Sequence, residues 1–426
     1  MAKKFEEIKE EEYPYELPEG WKWERLGDIN KFKSKNLTPQ DFPEETFELY
    51  SVPNFVYDYP EILKGKEIGS SKQIVDKEDV LLCKINPNIN RVWTVSRYTN
   101  NRMIASGEWI VFRNSEINSH MIKWYFTSPY FRTLMMSNVS GVGGSLTRAK
   151  PKLVANYLLP IPPKETQQKI VGIIESLFAK LDIAQEKVEQ VLAESENRRS
   201  AILHNAFSGK LTEKWREENN VSFDSWSKTN FSDIIIQMQN GLSKRNGESG
   251  LLYGVLRLAN INEYSINLND LRYILLDDKE QEKYALREND VIMIRVNGSK
   301  DNVGKQILVP QMNNIAFCDH IIRIVYNNEI VMVKFMVLLS YTKDYRNYIE
   351  EHMVSSAGQN TISRKGMNDY NINLPTILEQ QEIVRLLDNF LSVEDKVKST
   401  CQNTLEAIAT MRKSILAKAF RGELCS

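Results

Sequence analysis

The chain has 426 residues, which exceeds the usual size of one hydrophobic core, so we expect two or three domains. Its composition, 42% hydrophobic and 26% charged residues, is that of an ordinary globular protein and argues against a largely disordered chain. A net charge of −1 argues against a uniformly basic, generic nucleic-acid binder.

The sequence also bears on location and on metal binding. No apolar run approaches the roughly 18 residues of a membrane-spanning helix, and the start, MAKKFEEIKEEEYPYEL, lacks the apolar core of a signal peptide. We therefore expect a cytoplasmic protein. The four cysteines and four histidines are scattered without a C-x-x-C pair, which argues against a zinc site or a disulfide framework.

The first half opens with strand-like runs, ELYSVPNF at 48–55 and EDVLLCKIN at 78–86, and continues into a helical stretch at 119–136. This order predicts a mixed α+β domain. Between residues 80 and 160 the chain has about ten Lys and Arg against two acids, so positive charge is concentrated in this domain.

Arginines and asparagines alternate with aromatic residues in NPNINRVWTVSRYTNNR at 86–102. Arg and Asn are the residues that read guanine and adenine through paired hydrogen bonds. We therefore predict DNA contacts from Asn86, Arg91, Arg97 and Arg102.

A small-and-polar segment, SGVGGSLTRAKPK at 140–152, follows. Its glycines permit close backbone approach, its hydroxyls can donate and accept at base edges, and its basic side chains can pair with phosphates. The alternative is a solvated loop with incidental charge. The predicted DNA-binding residues of this segment are Ser145, Thr147, Arg148 and Lys150.

Residues 162–209 have the pattern of a long amphipathic helix that begins after prolines and ends at a glycine. Apolar side chains follow the 4–3 spacing of a heptad seam until Ser195 and Arg198 interrupt it. The apolar seam positions are Ile170, Ile174, Leu177, Leu181, Ala184, Val188 and Val191. At 1.5 Å per residue, about 44 residues extend roughly 65 Å.

The second half repeats this order. Strand candidates at 251–261 and 289–297 precede a helical stretch at 329–349, and the polar segment SSAGQNTISRKG occupies 355–366. By the same chemistry as in the first half, it contributes a second set of predicted DNA contacts. They are Arg257, Asn260, Arg295, Asn297, Lys300, Lys305, Gln359, Asn360, Arg364 and Lys365.

A second long helix, at 375–422, copies the first. PPKETQQKIV at 162–171 recurs as PTILEQQEIV at 375–384, and about 14 of 50 positions agree in an ungapped frame. The seam of this copy runs through Ile383, Leu387, Phe390, Glu394, Val397, Cys401, Thr404, Ile408, Met411 and Ile415.

The duplication bears on how the helices are buried. One long surface helix can show an apolar stripe by itself, but two copies are best buried against each other. A pseudo-two-fold arrangement makes the helices antiparallel and places the two mixed domains at opposite ends. The predicted register pairs Arg198 with Glu394, Val191 with Cys401, and Leu181 with Met411.

The sequence contains no complete motif of a catalytic site. The loop from Gly298 to Lys305 resembles a phosphate loop but has one residue too many between its glycines and lacks the metal-binding Ser or Thr. Asn86-Pro87-Asn88-Ile89 is a near miss for the Asn-Pro-Pro-aromatic motif of amino-methyltransferases. No H-E-x-x-H or G-x-S-x-G motif is found. We expect no catalytic residue and no metal ligand in this chain.

The local patterns LPEGWKWERLGDI at 17–29, IPPKETQQKIV, LPTILEQQEIV and AFRGEL add to the duplicated order. Together they resemble the specificity subunit of Type I restriction-modification enzymes over essentially the whole chain. The resemblance divides the chain into an N-terminal arm (1–20), target recognition domains (21–161 and 210–374), long spacer helices (162–209 and 375–422) and a C-terminal tail (423–426).

In that family each target recognition domain reads one half of a bipartite DNA sequence, and the helices set the spacer and dock methyltransferase subunits. The unlike domains imply an asymmetric target. The implied partners are double-stranded DNA, two methyltransferase (modification) subunits and restriction or motor subunits. The implied cofactors are held by those partners, S-adenosylmethionine by the methyltransferase and ATP with Mg²⁺ by the motor subunit. The first helix has KETQ at 164–167 where the second has LEQQ at 378–381, which leaves open whether the two docking surfaces are equivalent.

Two other classes of function stay open at this point. A repeat-built adaptor without DNA affinity agrees with the near-neutral net charge, and it predicts no salt-dependent DNA binding. A methyltransferase in its own right requires that the isolated chain bind S-adenosylmethionine.

Overall fold

The structure of the chain is a computed structural model, and it describes residues 8–137, 139–140, 147–262 and 265–424. The chain divides into two compact units. Unit 1 comprises Met1–Glu189 with Gln402–Ser426, and unit 2 comprises Gln190–Cys401. Each unit therefore combines one mixed domain with a segment from each of the two long helices.

Unit 1 mixes short strands with short helices, which confirms the predicted α+β class for this half. Its strands are β1 Lys22–Arg25, β2 Asn36–Leu37, β3 Thr46–Tyr50, β4 Glu61–Lys64, β5 Lys72–Ile74, β6 Val80–Cys83, β7 Val92–Thr94, β8 Arg102–Ala105, β9 Trp109–Phe112, β10 Val139–Ser140, β11 Arg148–Ala149 and β12 Leu158–Ile161. Its helices are α1 Leu26–Ile29, α2 Ser119–Thr127, α3 Pro129–Ser137, α4 Pro151–Val154 and the first part of α5 Lys164–Phe207.

Unit 2 has the same mixture. Its strands are β13 Ser227–Asn230, β14 Ile235–Asn240, β15 Leu251–Leu256, β16 Arg272–Leu276, β17 Val291–Ile294, β18 Val296–Asn297, β19 Gln306–Leu308, β20 Ile315–Phe317, β21 Ile321–Tyr326, β22 Val354–Ser356, β23 Gln359–Thr361 and β24 Asn371–Leu374. Its helices are α6 Glu213–Glu218, α7 Asp278–Tyr284, α8 Val333–Leu339, α9 Lys343–His352, α10 Arg364–Asn368 and the first part of α11 Ile377–Phe420.

The sheets of the two units follow one plan. The five-stranded sheet of unit 1, in the order β2-β5-β8-β3-β4, corresponds to the three-stranded sheet β16-β15-β20 of unit 2. The three-stranded sheet β7-β6-β9 of unit 1 corresponds to the four-stranded sheet β14-β21-β17-β19 of unit 2. The pairs β3–β8 and β15–β20 are parallel. The antiparallel pairs β1–β12 and β13–β24 each join the start of a mixed domain to its end. The internal repeat seen in sequence is therefore also a repeat of topology.

The main core of each unit lies between the mixed domain and its helix segments. In unit 1, Phe126 and Leu159 share a buried cluster with Ile174 and Ala419. In unit 2, Phe335 belongs to the corresponding cluster with residues of both long helices. Because full burial of a Leu, Ile or Phe side chain contributes roughly 1.5–3 kcal/mol, this packing is what holds the helix segments to their domains.

The structure breaks each predicted helical stretch in two. In unit 1, α2 ends at Thr127 and α3 begins at Pro129, because a proline disfavours helical backbone at the residue before it. In unit 2, α9 begins after Thr342, whose hydroxyl oxygen accepts a hydrogen bond from the backbone N–H of Tyr345.

The two long helices each have 44 residues, α5 at Lys164–Phe207 and α11 at Ile377–Phe420. Both are two residues shorter at each end than the predicted spans. Prolines precede both helices, and Gly209 and Gly422 end them in the left-handed conformation, with φ of 78° and 80°.

Polar contacts between α5 and α11 fix their direction. In unit 2, Arg198 Nε donates to Glu394 Oε1 over 2.8 Å and Nη2 donates to Oε2 over 3.1 Å, which is the contact that the heptad register predicts. These hydrogen bonds hold the pKa of Glu394 below its usual value. In unit 1, Arg412 pairs with Asp182. Within unit 2, Arg198 of α5 contacts Glu394, and Thr212, which follows α5, contacts the earlier Glu379, so the two helix segments of that unit run antiparallel.

Two of the predicted seam residues lie outside the seam. Val191 is 38% exposed and Met411 is 53% exposed, so their predicted pairings with Cys401 and Leu181 are wrong. A straight helix drifts by about 20° per heptad relative to a strict seven-residue repeat, so neighbouring positions turn inward instead. The remaining predicted seam residues are buried or half-buried: Ile170, Ile174, Leu177, Leu181, Ala184, Val188, Arg198, Ile383, Leu387, Phe390, Glu394, Val397, Cys401, Thr404, Ile408 and Ile415.

A repeated glutamine fastens each long helix to its domain. Gln167 Nε2 donates to the Pro162 carbonyl over 3.0 Å, and its Oε1 accepts from Asn118 N over 2.8 Å. Gln380 makes the equivalent contacts with Pro375 and Met332, at 2.9 and 2.7 Å. The glutamine shared by the two sequence motifs therefore attaches each long helix to its domain through hydrogen bonds.

Among the helices of the described residues, none has the length and apolar character of a membrane-spanning segment.

Candidate nucleic-acid interface

In unit 2 several of the predicted DNA-binding residues lie on or next to an exposed pair of short strands. We call β22 with β23 strand pair 2. Ser356 lies opposite Gln359, and the two-residue turn between them has positive φ at both Ala357 (48°) and Gly358 (77°). Such a turn matches the natural twist of a tight hairpin. Ser355, Ser356 and Gln359 are all exposed on it.

Strand pair 2 is attached to the segment that follows β17. Asn297 lies opposite Asn360, and the side-chain amide of Asn360 donates to the Gly298 carbonyl over 3.0 Å. Asn360 Oδ1 also accepts from the Ser355 hydroxyl over 2.6 Å. Asn360 is only 7% exposed. The prediction that Asn360 reads a base is therefore wrong, because its amide is used to hold the strand pair in place.

The segment 295–297 lies beside the strand pair. The backbone N–H of Ile362 donates to the Arg295 carbonyl over 3.0 Å. Arg295 and Asn297 are half-buried, and Arg295 Nη1 donates to the Asp319 carbonyl over 3.2 Å. Asn297 Oδ1 accepts from Ser299 N over 2.9 Å, so part of its hydrogen-bonding capacity shapes the loop.

Basic side chains surround strand pair 2. Lys300 lies 3.3 Å from Glu350, and Arg364 donates to the Met238 carbonyl over 3.1 Å. Lys365 is exposed, and Lys305 is half-buried with its ammonium 3.2 Å from Asn302 Oδ1. Lys300, Arg364 and Lys365 are exposed, whereas Lys305 is partly committed to its own loop.

Unit 1 has the equivalent arrangement. We call β10 with β11 strand pair 1, in which Ser140 lies opposite Arg148. Arg148 also forms an isolated antiparallel β-bridge with Ile85. Two backbone hydrogen bonds flank this bridge, one from Asn86 N–H to the Thr147 carbonyl and one from Ala149 N–H to the Lys84 carbonyl, each 2.8 Å long. Both units therefore place the segment after the central strand, 84–86 or 295–297, alongside a strand pair. Ser145 lies outside the described residues.

Exposed cations accompany strand pair 1. Arg148, Lys150 and Arg97 are exposed, and Arg148 Nη2 lies 3.0 Å from Glu108 Oε1. The half-exposed Arg148–Glu108 pair is weak, because solvent screens it.

Two of the predicted arginines of unit 1 have structural partners. Arg102 forms a two-pronged ion pair with Glu45, which raises the pKa of Arg102, and its guanidinium lies 4.8 Å from the centre of the Phe42 ring. Arg91 is half-buried and donates to the Ile85 carbonyl over 3.5 Å. Two of the donors of Arg102 are held by Glu45, and its contact with DNA stays a prediction.

In unit 2, the predicted DNA contacts Arg257 and Asn260 also have partners within the chain. Asn260 is 2% exposed, and its amide both accepts from Arg257 N over 3.0 Å and donates to the Asn269 carbonyl over 2.8 Å. Arg257 Nη2 donates to the backbone carbonyl of Asp270 over 2.5 Å. The predicted base contact of Asn260 is therefore wrong, since this side chain closes a loop instead.

Lys84 is a residue of this surface that its sequence context did not single out as a DNA contact. It occupies the position in unit 1 that Arg295 occupies in unit 2, and its ammonium donates to the Gly107 carbonyl over 2.5 Å. The repeat contains the signal, because DVLLCKIN and DVIMIRVN align Lys84 with Arg295.

Among the described residues, Cys318, Asp319 and His320 bring three potential metal ligands within 4.8 Å of one another. Burial raises the pKa of the Cys318 thiol. In the absence of a metal ion the thiol form of Cys318 is therefore favoured over the thiolate, which is the form that binds metals.

Comparison with known proteins adds the family context. The family model described as "Type I restriction modification DNA specificity domain" matches residues 18–193 and 255–407, once in each half. The StySPI specificity subunit of Salmonella potsdam is 34% identical over 301 residues, which are 70% of this chain and 64% of that protein. The EcoKI specificity subunit of Escherichia coli K12 is 30% identical over 302 residues, again 70% and 64%. The aligned region thus covers less than two-thirds of these relatives.

Solved structures share the fold. The HsdS subunit of Thermoanaerobacter tengcongensis is 20% identical, with a TM-score of 0.65 over 96% of this chain and 99% of that one. A chain from a study of complex assembly in the type I R-M system is 19% identical, with a TM-score of 0.75 over 96% and 100%. At such identity the likeness shows the fold alone.

Proposed function

The chain belongs to the Type I restriction modification DNA specificity family, and from that premise we propose that it reads the DNA target for a Type I restriction-modification complex. Each unit reads one half of an asymmetric, bipartite sequence. The observation that carries the proposal is the strand pair held beside the segment after the central strand, which occurs in both units.

The dimensions and chemistry of the strand pairs suit base reading. The major groove of B-DNA, about 12 Å wide, admits a two-stranded ribbon. In strand pair 2, the exposed hydroxyl of Ser356 and amide of Gln359 can donate to and accept from base edges. Arg364 and Lys365 follow directly and contact phosphates, which fix the register of the ribbon on the duplex.

Unit 1 reads the other half with different residues. At the positions where unit 2 has Asn360 and Thr361, unit 1 has Thr147 and Arg148, and Arg148 is exposed. An arginine is suited to guanine O6 and N7, whereas a glutamine is suited to adenine N6 and N7. The two halves of the target therefore differ in sequence.

The long helices serve the assembly. They set the spacer between the half-sites and dock two methyltransferase subunits, and restriction or motor subunits join that core in the cytoplasm. The catalytic groups come from those partners, with S-adenosylmethionine on the methyltransferase and ATP with Mg²⁺ on the motor subunit. This chain contributes recognition and geometry only.

A salt titration tests the proposal. The full chain, assembled with its methyltransferase partner, should bind a duplex containing its methylated target with log affinity falling linearly in log salt, by about 0.9 for each phosphate neutralised. A duplex with one half-site scrambled is the matched control and should bind more weakly at every salt concentration. Affinity that is absent, or equal for both duplexes, would contradict the proposal.

A further inference from the structure

Unit 1 has an exposed apolar tip. It is formed by Val56 and Tyr57, which are each 74% exposed. The tip belongs to residues 51–60, the loop that follows β3. No sequence pattern marks it as a DNA contact, and the proposed base-reading residues do not include it.

The topology of unit 1 brings this loop to the recognition surface. Because β3 and β8 are parallel, with Tyr50 opposite Ala105, the loops that follow them leave the sheet at the same edge. The loop after β8 contacts the recognition segment directly, since Lys84 N donates to the Glu108 carbonyl over 3.0 Å and Arg148 pairs with Glu108. Ser106 N donates to the Tyr50 carbonyl over 3.1 Å, which joins the two loops.

The loop is held in shape while its tip points outward. The Phe55 ring packs against Trp93 and Trp109, with centroid distances of 6.0 and 6.3 Å. On the other side, Asn54 Nδ2 donates to the Tyr59 carbonyl over 2.7 Å, and Tyr98 Oη donates to the Asp58 carbonyl over 3.1 Å. A tip fixed in this way loses little conformational freedom when it binds.

Charge decides which part of DNA the tip can meet. Asp58 is exposed next to Tyr57, so a phosphate is disfavoured at this point, whereas the exposed Arg97 precedes Tyr98 on the adjoining segment. An aromatic ring offers an apolar face to a base, and apolar side chains are known to enter base steps and partly unstack them.

Building on the proposed function, we propose that Tyr57 acts as a wedge that contacts and partly unstacks a base step in or beside the half-site read by unit 1. Val56 precedes Tyr57 on the same exposed tip. The wedge adds affinity and a preference for flexible base steps, because such steps cost less to deform.

Fluorescence of 2-aminopurine tests this wedge. The full chain with its methyltransferase partner is bound to target duplexes that carry 2-aminopurine at successive positions, excluding the methylated base, which the methyltransferase itself extrudes. We expect a rise in fluorescence at one position in or next to the half-site of unit 1. Tyr57→Ala should abolish that rise and weaken specific binding about tenfold, while Tyr57→Phe should retain both.

Tyr13→Ala removes an exposed tyrosine of the N-terminal arm, and it is the matched control that should bind like the original chain. If the original chain binds its target specifically and Tyr57→Ala shows the same affinity and the same fluorescence, the wedge is overturned. The proposed function is then unaffected. Absence of specific binding by the original chain would overturn the proposed function, and the wedge with it.

Discussion

The double substitution Ser356→Ala with Gln359→Ala should weaken specific DNA binding about a hundredfold, through loss of one half-site only. Both side chains are exposed on strand pair 2, and each contact to a base edge is worth roughly 1–3 kcal/mol of discrimination. Exposed residues of this kind contribute little to folding, so the free energy of unfolding should change by less than about 0.5 kcal/mol. The measurement is competition binding against duplexes mutated in either half-site.

Lys365→Ala is the matched control for this prediction. It removes an exposed positive charge in the same unit, so it should weaken binding to all sequences alike and reduce the salt slope by about 1. If the double variant kept full discrimination at both half-sites, or lost it equally at both, strand pair 2 would not be the reading element of unit 2.

Glu379→Gln should lower the free energy of unfolding of unit 2 by about 3 kcal/mol, because it leaves a buried arginine without its counter-charge. Glu379 is fully buried at the start of α11, and its carboxylate accepts from Arg216 Nη1 over 2.6 Å, from the Thr212 hydroxyl over 2.7 Å and from Trp226 Nε1 over 2.9 Å. These bonds fasten the segment after α5 to α11. Urea denaturation of the full chain measures the loss.

Glu165→Gln tests whether burial is the cause. Glu165 is exposed in the first turn of α5, so the same change of charge should cost less than about 0.5 kcal/mol there. A second test removes the arginine as well: Glu379→Leu combined with Arg216→Met should recover part of the stability that Glu379→Gln loses. Equal losses for Glu379→Gln and Glu165→Gln would refute a structural role for this buried pair.

The sequence was sufficient for the features that depend on periodicity. The two long helices, the antiparallel pairing of their segments within unit 2 and the contact of Arg198 with Glu394 follow from apolar residues at heptad spacing and from opposite charges interrupting the same seam. The errors at Val191 and Met411 have the same source, because a strict seven-residue repeat does not include the angular drift of a straight α-helix relative to that repeat.

Long-range polar contacts were not predictable from the sequence. The pairing of Arg102 with Glu45 and the three bonds to Glu379 join residues that are far apart in the chain, so no local pattern announces them. Residue type suggested that Asn260 reads a base, but its amide is already satisfied within the fold, and two of the donors of Arg102 are held by Glu45. Folding decides which of many arginines and asparagines are left to face a ligand.

The repeat itself was a better guide to the candidate site than residue type. Aligning the halves placed polar segments at corresponding positions, and the structure pairs each with the segment after a central strand. Strand pairing was outside the reach of the sequence, because two-residue strands such as Val296–Asn297 are too short to show alternation.

The independence of the two readers is measured most directly by mapping methylated sites across a genome. The chain is co-expressed with its methyltransferase partner, first unchanged and then with residues 21–161 replaced by the corresponding domain of another family member. Two independent readers should give an asymmetric bipartite motif for the original chain, and for the chimera a motif in which one half has changed while the other half and the spacer are kept. A motif without two parts, or a chimera in which both halves change, would contradict that independence.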